Sequence, residues 1–246
     1  MAAPPVAVVT GATGTLGRLL VADLAGRGMR VLAVSRSGAG IGVGESWSVA
    51  ADLASAGAVM TIRAALPPGD LAMAVHAVGL PGSPGVLDVD PAELGRAVDL
   101  KAGGLLRLLD AVGDRLVAGS RIVAVGGHLG AEPSEHSPLA GVANAALANL
   151  VRQLAGPLGR RGATVHLVAP GPFDSPRVDG LVAARAVGDG VTEEEARRVL
   201  LAQYPSGRLP RAEEVAGVIT MLLEPGAAAL HGATLSADGG IRRGIL

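Results

Sequence analysis

Along most of the chain, short runs of β-branched and other apolar residues alternate with longer stretches whose apolar positions recur every three or four residues. That alternation predicts βαβ units around a parallel sheet. Seven strands are expected, at Val6–Thr10, Arg30–Ser35, Ser46–Ala50, Leu71–Val75, Arg121–Val125, Thr164–Ala169 and Thr234–Ala237. Most are apolar throughout, as strands covered on both faces should be. Helix signals fall between them. Leu16, Leu19, Leu20 and Leu24 share one side of a first helix, and Asp90-Pro91-Ala92-Glu93 has a cap, a first-turn proline and a carboxylate three residues on. Thr192-Glu193-Glu194-Glu195 repeats that signal before a helix expected to turn Ala196, Val199 and Leu200 inward, and Glu213 to Leu223 is a further amphipathic helix. No repeat and no linker divides the chain. The expected fold is α/β, one doubly wound domain over 1–246 with a seven-stranded, mostly parallel sheet and helices on both faces.

Composition narrows the possibilities. Apolar residues make up 49% of the 246 residues but aromatics only 1%, so the core has to be built from Val, Leu, Ile and Ala. A net charge of −1 gives no electrostatic reason to expect nucleic acid or an anionic membrane as partner. Absence of cysteine excludes disulfides, thiolate metal sites and cysteine nucleophiles, and no metal is expected. Mean hydropathy is high at +0.44, yet Gly, Pro or a charge breaks every apolar run well short of a membrane span. Met1-Ala2-Ala3-Pro4-Pro5 has no basic stretch before the apolar run, so no signal peptide is read, and a cytoplasmic location is expected.

The first strand leads into Thr10-Gly11-Ala12-Thr13-Gly14-Thr15-Leu16-Gly17 and then a helix. Glycine is needed where the chain turns tightly and where a pyrophosphate approaches the backbone too closely for a Cβ. The helix start behind it supplies free N–H groups and a positive dipole end. A tight turn without ligand is the competing explanation. With this turn in place, the whole chain resembles the short-chain dehydrogenase/reductase family, a Rossmann-like fold. Glycines at 11, 14 and 17 are similar to the family's extended and atypical branches; ordinary members have the middle glycine one place later, where Thr15 stands. The resemblance implies a dinucleotide site. In it Thr10, Gly11, Thr13, Gly14, Leu16 and Gly17 form the turn, and Asp52-Leu53 lies beside the adenine. Gly79 is what remains of a family Asn-Asn-Ala-Gly stretch, here His76-Ala77-Val78-Gly79. The Pro-Gly loop of Pro170 and Gly171 would bring Ser175 to the nicotinamide carboxamide. Arg36 follows the second strand, where a guanidinium suits the 2′-phosphate of NADP(H). An ordinary solvated arginine is the alternative there, and NAD(H) stays open as cofactor. Gly207-Arg208-Leu209-Pro210 and Ala237-Asp238-Gly239-Gly240 also resemble the family's ending.

The family's proton-transfer residues do not carry over. Its catalytic serine falls on Gly127, its tyrosine on Ala140, the lysine one helical turn later on Asn144, and its relay asparagine on Asp99. Tyr204 is the only tyrosine and Lys101 the only lysine, far apart and in the wrong order, so no slip in alignment restores the motif. Ser120 lies at the wrong end of its strand. A positioned general acid contributes roughly 10²–10⁴-fold and one oxyanion donor about 2.7–4 kcal/mol, so ordinary ketone reduction is expected to be close to dead. His128 and His136 are the available substitutes, with a suitable pKa; solvated loop histidines are the alternative. Asp99 would pair with one of them or cap a helix, and Glu132 and Glu135 read as surface charges. The segment 173–208 corresponds to the family's substrate lid, in which Leu181, Val182, Val199 and Tyr204 would cover an apolar pocket or simply pack on the core.

Three readings follow: a non-catalytic or regulatory homologue, an oxidoreductase working without the usual acid (on an activated C=C bond or through His128 or His136), and a lyase or isomerase. The family's helices at about Asp90–Val117 and Leu139–Leu158 imply a homo-dimer or homo-tetramer, or a hetero-oligomer with an active relative.

Overall fold

The computed structural model describes residues 3–82 and 84–244. Seven strands form one sheet, β1 (Val6–Thr10), β2 (Arg30–Ser35), β3 (Ser46–Ala50), β4 (Leu71–His76), β5 (Leu116–Val125), β6 (Thr164–Pro170) and β7 (Thr234–Ala237). Their order is β3-β2-β1-β4-β5-β6-β7, and every pairing is parallel. The expected α/β doubly wound fold is what the chain adopts. The strand order reverses between β1 and β4, which opens the crevice where ligands of such sheets bind.

Alternate residues of each central strand feed two cores. Val6 and Val8 join Ile62 of α2 (Ala58–Ala65), Leu105 and Leu108 of α4 (Gly104–Val112), and Leu147 and Val151 of α5 (Pro138–Gly159). Ala7 and Val9 face the other way, onto Leu20 and Leu24 of α1 (Thr15–Gly26) and Val215 and Ile219 of α8 (Ala212–Met221). Both cores are aliphatic, as the composition requires. The edge strand β3 is only partly covered; its Trp47 stays 40% exposed, with the Arg30 guanidinium 5.3 Å from its ring.

β4 and β6 each run one residue beyond expectation, to His76 and Pro170, and the start of β5 departs furthest. β5 begins at Leu116, not Arg121, so Leu116 and Val117 belong to the strand rather than to the preceding helix. Gly119, with φ at +92°, lets the strand shift register there, and the buried Ser120 hydroxyl holds the irregular stretch by donating to Leu71 O and accepting from Val117 N. The helix before it is also irregular. α3 (Pro91–Val98) runs into a π-turn at Asp99–Gly103 and then into α4. Such wide turns are frequent at functional sites.

The lid segment folds into α6 (Pro176–Asp189) and α7 (Glu193–Leu201), and α7 starts with the expected capping box between Thr192 and Glu195. Val178, Val182, Ala186, Ala196, Tyr204 and Leu209 form a small core of their own. Val199, expected inside, is 52% exposed, because Ala196 and the neighbouring Leu200 take the inward positions on α7. No helix among the described residues is long and apolar enough to cross a membrane.

Candidate active-site cavity

A cavity of about 520 Å³ opens at the carboxyl ends of β1, β4, β5 and β6, a volume in the range of small-molecule sites. Its first wall is the glycine turn. Gly11 sits at φ +71°, and a Cβ on it would come within 2.5 Å of Ala77 O. A Cβ on Gly17 would lie 2.2 Å from Gly11 O, so these two glycines let the turn close on itself and on the end of β4. Gly14 differs: its Cβ would meet only Gly11 O at 3.4 Å, and it faces the cavity together with Thr15, Leu16 and Gly17. Gly14 is the N-cap of α1 and supplies no side chain to the first-turn N–H groups, which are left for a ligand. Thr10 is turned the other way. It is wholly buried, and its hydroxyl donates to His76 Nδ1 at 2.9 Å, while His76 Nε2 donates to Leu100 O at 3.2 Å. Burial, and then the charge of Lys101, pulls the His76 pKa down to about 3, so this histidine is neutral beneath the site. Thr13 accepts from Arg18 Nε through its carbonyl and lies outside the cavity lining.

The end of β5 forms the floor. Gly126 and Val125 line the cavity, and a Cβ on Gly127 would lie 2.8 Å from Asn144 Nδ2. Asn144 is 6% exposed and its Oδ1 is buried without a hydrogen-bond partner. Ala140, one turn earlier on α5, also faces the cavity. Of the positions that the resemblance assigns to tyrosine, lysine and serine, Ala140 and Asn144 line the cavity and Gly127 packs against Asn144. The fourth position, that of the relay asparagine, does neither. Asp99 turns back over Gly103 to Arg107, 2.8 Å away, and pairs with neither His128 nor His136. Two turns of helix separate Asp99 and Arg107, so they lie on the same outer side.

Lys101, in the π-turn, is a cavity-lining residue that sequence order concealed. It is 4% exposed, lines the cavity, and its Nζ donates to Val125 O at 2.8 Å. Burial first, and the nearby Arg177 second, lower its pKa to about 8. Arg177, on α6, reaches across the mouth and donates to Leu80 O. Its one signal in the sequence is its position two residues beyond Ser175.

Of the other expected residues, Gly79, Pro170, Gly171 and Ser175 line the cavity; Ser175 donates to Phe173 O at 3.0 Å and begins α6. Arg36 is exposed just beyond β2 and makes no hydrogen bond or ion pair among the described residues. Asp52 caps the loop after β3 by accepting from Ala54 N, and Leu53 belongs to the aliphatic core. His128 is half-buried on the cavity wall, where burial outweighs the pull of Asp238, the Pro170 backbone and Glu132 and lowers its pKa. His136 also lines the cavity, but its side chain is 77% exposed and sits 3.5 Å from Glu135. Glu132 is more than a surface charge: its carboxylate accepts from the backbone N–H groups of Arg243 and Gly244. In the lid, Leu181 faces the cavity, whereas Val182 and Tyr204 pack inside the lid's own core. The Tyr204 hydroxyl donates to Pro172 O at 2.8 Å, and burial pushes its pKa up.

Comparison with known proteins agrees with this fold. The profile of the family described as enoyl-(acyl carrier protein) reductase matches residues 42–242. The chain is 33% identical to cis-4-hydroxycyclohexanecarboxylate dehydrogenase of Sinomonas cyclohexanicum, covering 96% of this chain and 95% of that one. It is 30% identical to the 3-oxoacyl-[acyl-carrier-protein] reductase FabG of Pseudomonas aeruginosa, covering 96% of each. Among solved structures it resembles a variant of actinorhodin polyketide ketoreductase with NADPH, at TM-score 0.87 and 26% identity over 98% of this chain and 99% of that one. On these matches and the all-parallel sheet, the chain belongs to the short-chain dehydrogenase/reductase family.

Proposed function

We propose that this protein binds NADP(H) but has given up the family's tyrosine-based proton delivery, and works as a catalytically impaired or non-catalytic homologue, a partner subunit or regulator. One observation carries the reading. Ala140 and Asn144 line the cavity, with Gly127 packed against Asn144, where the resemblance puts tyrosine, lysine and serine, while the only tyrosine is bonded to Pro172 O inside the lid.

The residues present fit a dinucleotide. Gly14 leaves room for a phosphate at the bare N-terminus of α1. The orphaned Oδ1 of Asn144 offers a buried acceptor to a sugar hydroxyl. Arg36, without a partner among the described residues, suits a 2′-phosphate, which favours NADP(H) over NAD(H). A bound NADPH would supply hydride. The chain's own part would then be to protonate the alkoxide, and neither Gly127 nor Ala140 carries a group that can. Assembly through α4 and α5, with itself or with an active relative, is supported by Leu106 and Val142, which stay 47% and 46% exposed on those helices.

A second reading, an oxidoreductase with a replacement acid, is favoured by His128 on the cavity wall. Its lowered pKa keeps it neutral near pH 7, so it would accept a proton there more readily than give one. The test is a fluorescence titration with NADPH and NADH beside a single-turnover assay with a ketone. NADPH binding without NADPH oxidation supports the proposal; absence of dinucleotide binding removes it.

A further inference from the structure

The charged and titratable side chains that line the cavity are Lys101, His128, His136 and Arg177. All are basic, and no carboxylate is among the lining residues. Around them the walls are small or apolar: Gly126, Leu129, Ala140, Phe173, Val178 and Leu181.

Lys101 stands out within this set. An ammonium group has three donors, and the described residues give Lys101 one acceptor, Val125 O. A buried charge ordinarily has a counter-charge or a full set of hydrogen bonds, because leaving water is otherwise costly. Here the groups that act on it are Arg177 from α6, a second cation, and His76 from β4, which is neutral. Arg177 uses one of its five N–H donors on Leu80 O across the mouth. Two cations thus face one apolar chamber, one at the floor and one at the rim, with nothing of opposite charge in its lining.

We propose that the inner end of the cavity is a binding site for a small organic carboxylate, whose anionic group is held by Lys101 at the floor and Arg177 at the rim. A carboxylate matches the planar fork of a guanidinium and relieves the repulsion between the two cations. Its short apolar body fits the Ala140, Leu129 and Val178 walls. Phosphate chemistry is already provided for at the other end of the cavity, by Gly14 and the start of α1. The inference goes beyond dinucleotide binding and does not require it.

Isothermal titration with acetoacetate, and with methyl acetoacetate as the uncharged control, tests it on the full chain without dinucleotide. The carboxylate is expected to bind at least tenfold more tightly than the ester. Lys101→Met and Arg177→Gln should each weaken it at least tenfold while NADPH binding stays within twofold. Because an anion raises the lysine pKa from about 8, binding above pH 8 should take up a proton, seen as a dependence of the heat on buffer ionisation enthalpy. Lys101→Met should abolish that uptake. Equal binding of acid and ester, or no binding of either by the folded protein, overturns the proposal. So does a loss of NADPH affinity in both variants, which would assign the two cations to the dinucleotide. Arg177 is exposed, so its variant and the ester comparison decide the matter even if Lys101→Met fails to fold.

Discussion

The amide nitrogen of Asn144 stands 2.8 Å from the point where a Cβ on Gly127 would lie. The resemblance puts the family's serine and lysine at these two positions, and each has the form that the other permits: a missing side chain at 127 and a short amide turned into the space it leaves. The pair must therefore change together. Gly127→Ser alone should cost about 1–3 kcal/mol through overpacking, measured by urea denaturation, and restore no ketone reduction. The combined Gly127→Ser, Ala140→Tyr and Asn144→Lys variant should gain at least about 10²-fold in NADPH-dependent ketone reduction, the size expected of one positioned acid.

The glycine turn separates folding from binding. Gly17→Ala drives a Cβ to 2.2 Å from Gly11 O and should cost more than about 3 kcal/mol, the upper end of ordinary overpacking. Gly14→Ala meets nothing closer than 3.4 Å. It should fold with nearly unchanged thermal stability yet bind NADPH about tenfold more weakly, read by fluorescence titration.

Two buried histidines predict acid sensitivity. His76 and His166 are both fully buried, and burial foremost holds their folded pKa values at about 3 and about 4. Their unfolded value is near 6.5. The unfolded chain therefore takes up protons first, so their contribution is complete above about pH 6.5 and declines as pH falls toward the folded values. Each should remove about 2 kcal/mol between pH 7 and pH 5. Denaturation curves at the two pH values check this; equal stability would show that these rings are already protonated or exposed.

Tyr204 serves structure. Its hydroxyl donates to Pro172 O from inside the lid core, so Tyr204→Phe should lower stability by about 1 kcal/mol and leave NADPH binding unchanged.

Much of this architecture can be read from residue order, and the exceptions have physical causes. β1 and β2 are legible because each is a buried apolar run with the glycine turn or a Gly-rich loop beside it. The start of β5 is not, since Gly119 and Ser120 look like a turn and instead make a bulge whose bonds come from Leu71, 49 residues away. Thr192 announces α7 correctly, yet Val199 points outward, because periodicity gives a face and only packing against α6 decides which one. The glycine triad is visible as a motif, but only the structure distinguishes Gly11 and Gly17, which close the turn, from Gly14, which faces the cavity. Lys101 stands in the wrong order relative to Tyr204 for the family's pair, and so hides in the sequence. The π-turn at Asp99–Gly103 has no signature in the local sequence, and from it this lysine reaches Val125 O. The same turn leaves Asp99 with Arg107 rather than with a histidine.

The most direct test mixes the purified wild-type protein with one equivalent of NADPH and an excess of acetoacetyl thioester, following absorbance at the nicotinamide band in a stopped-flow instrument. Enhanced NADPH fluorescence on binding and no burst of oxidation are expected. Rapid stoichiometric oxidation would contradict this reading, and its loss in His128→Ala would identify that histidine as the replacement acid.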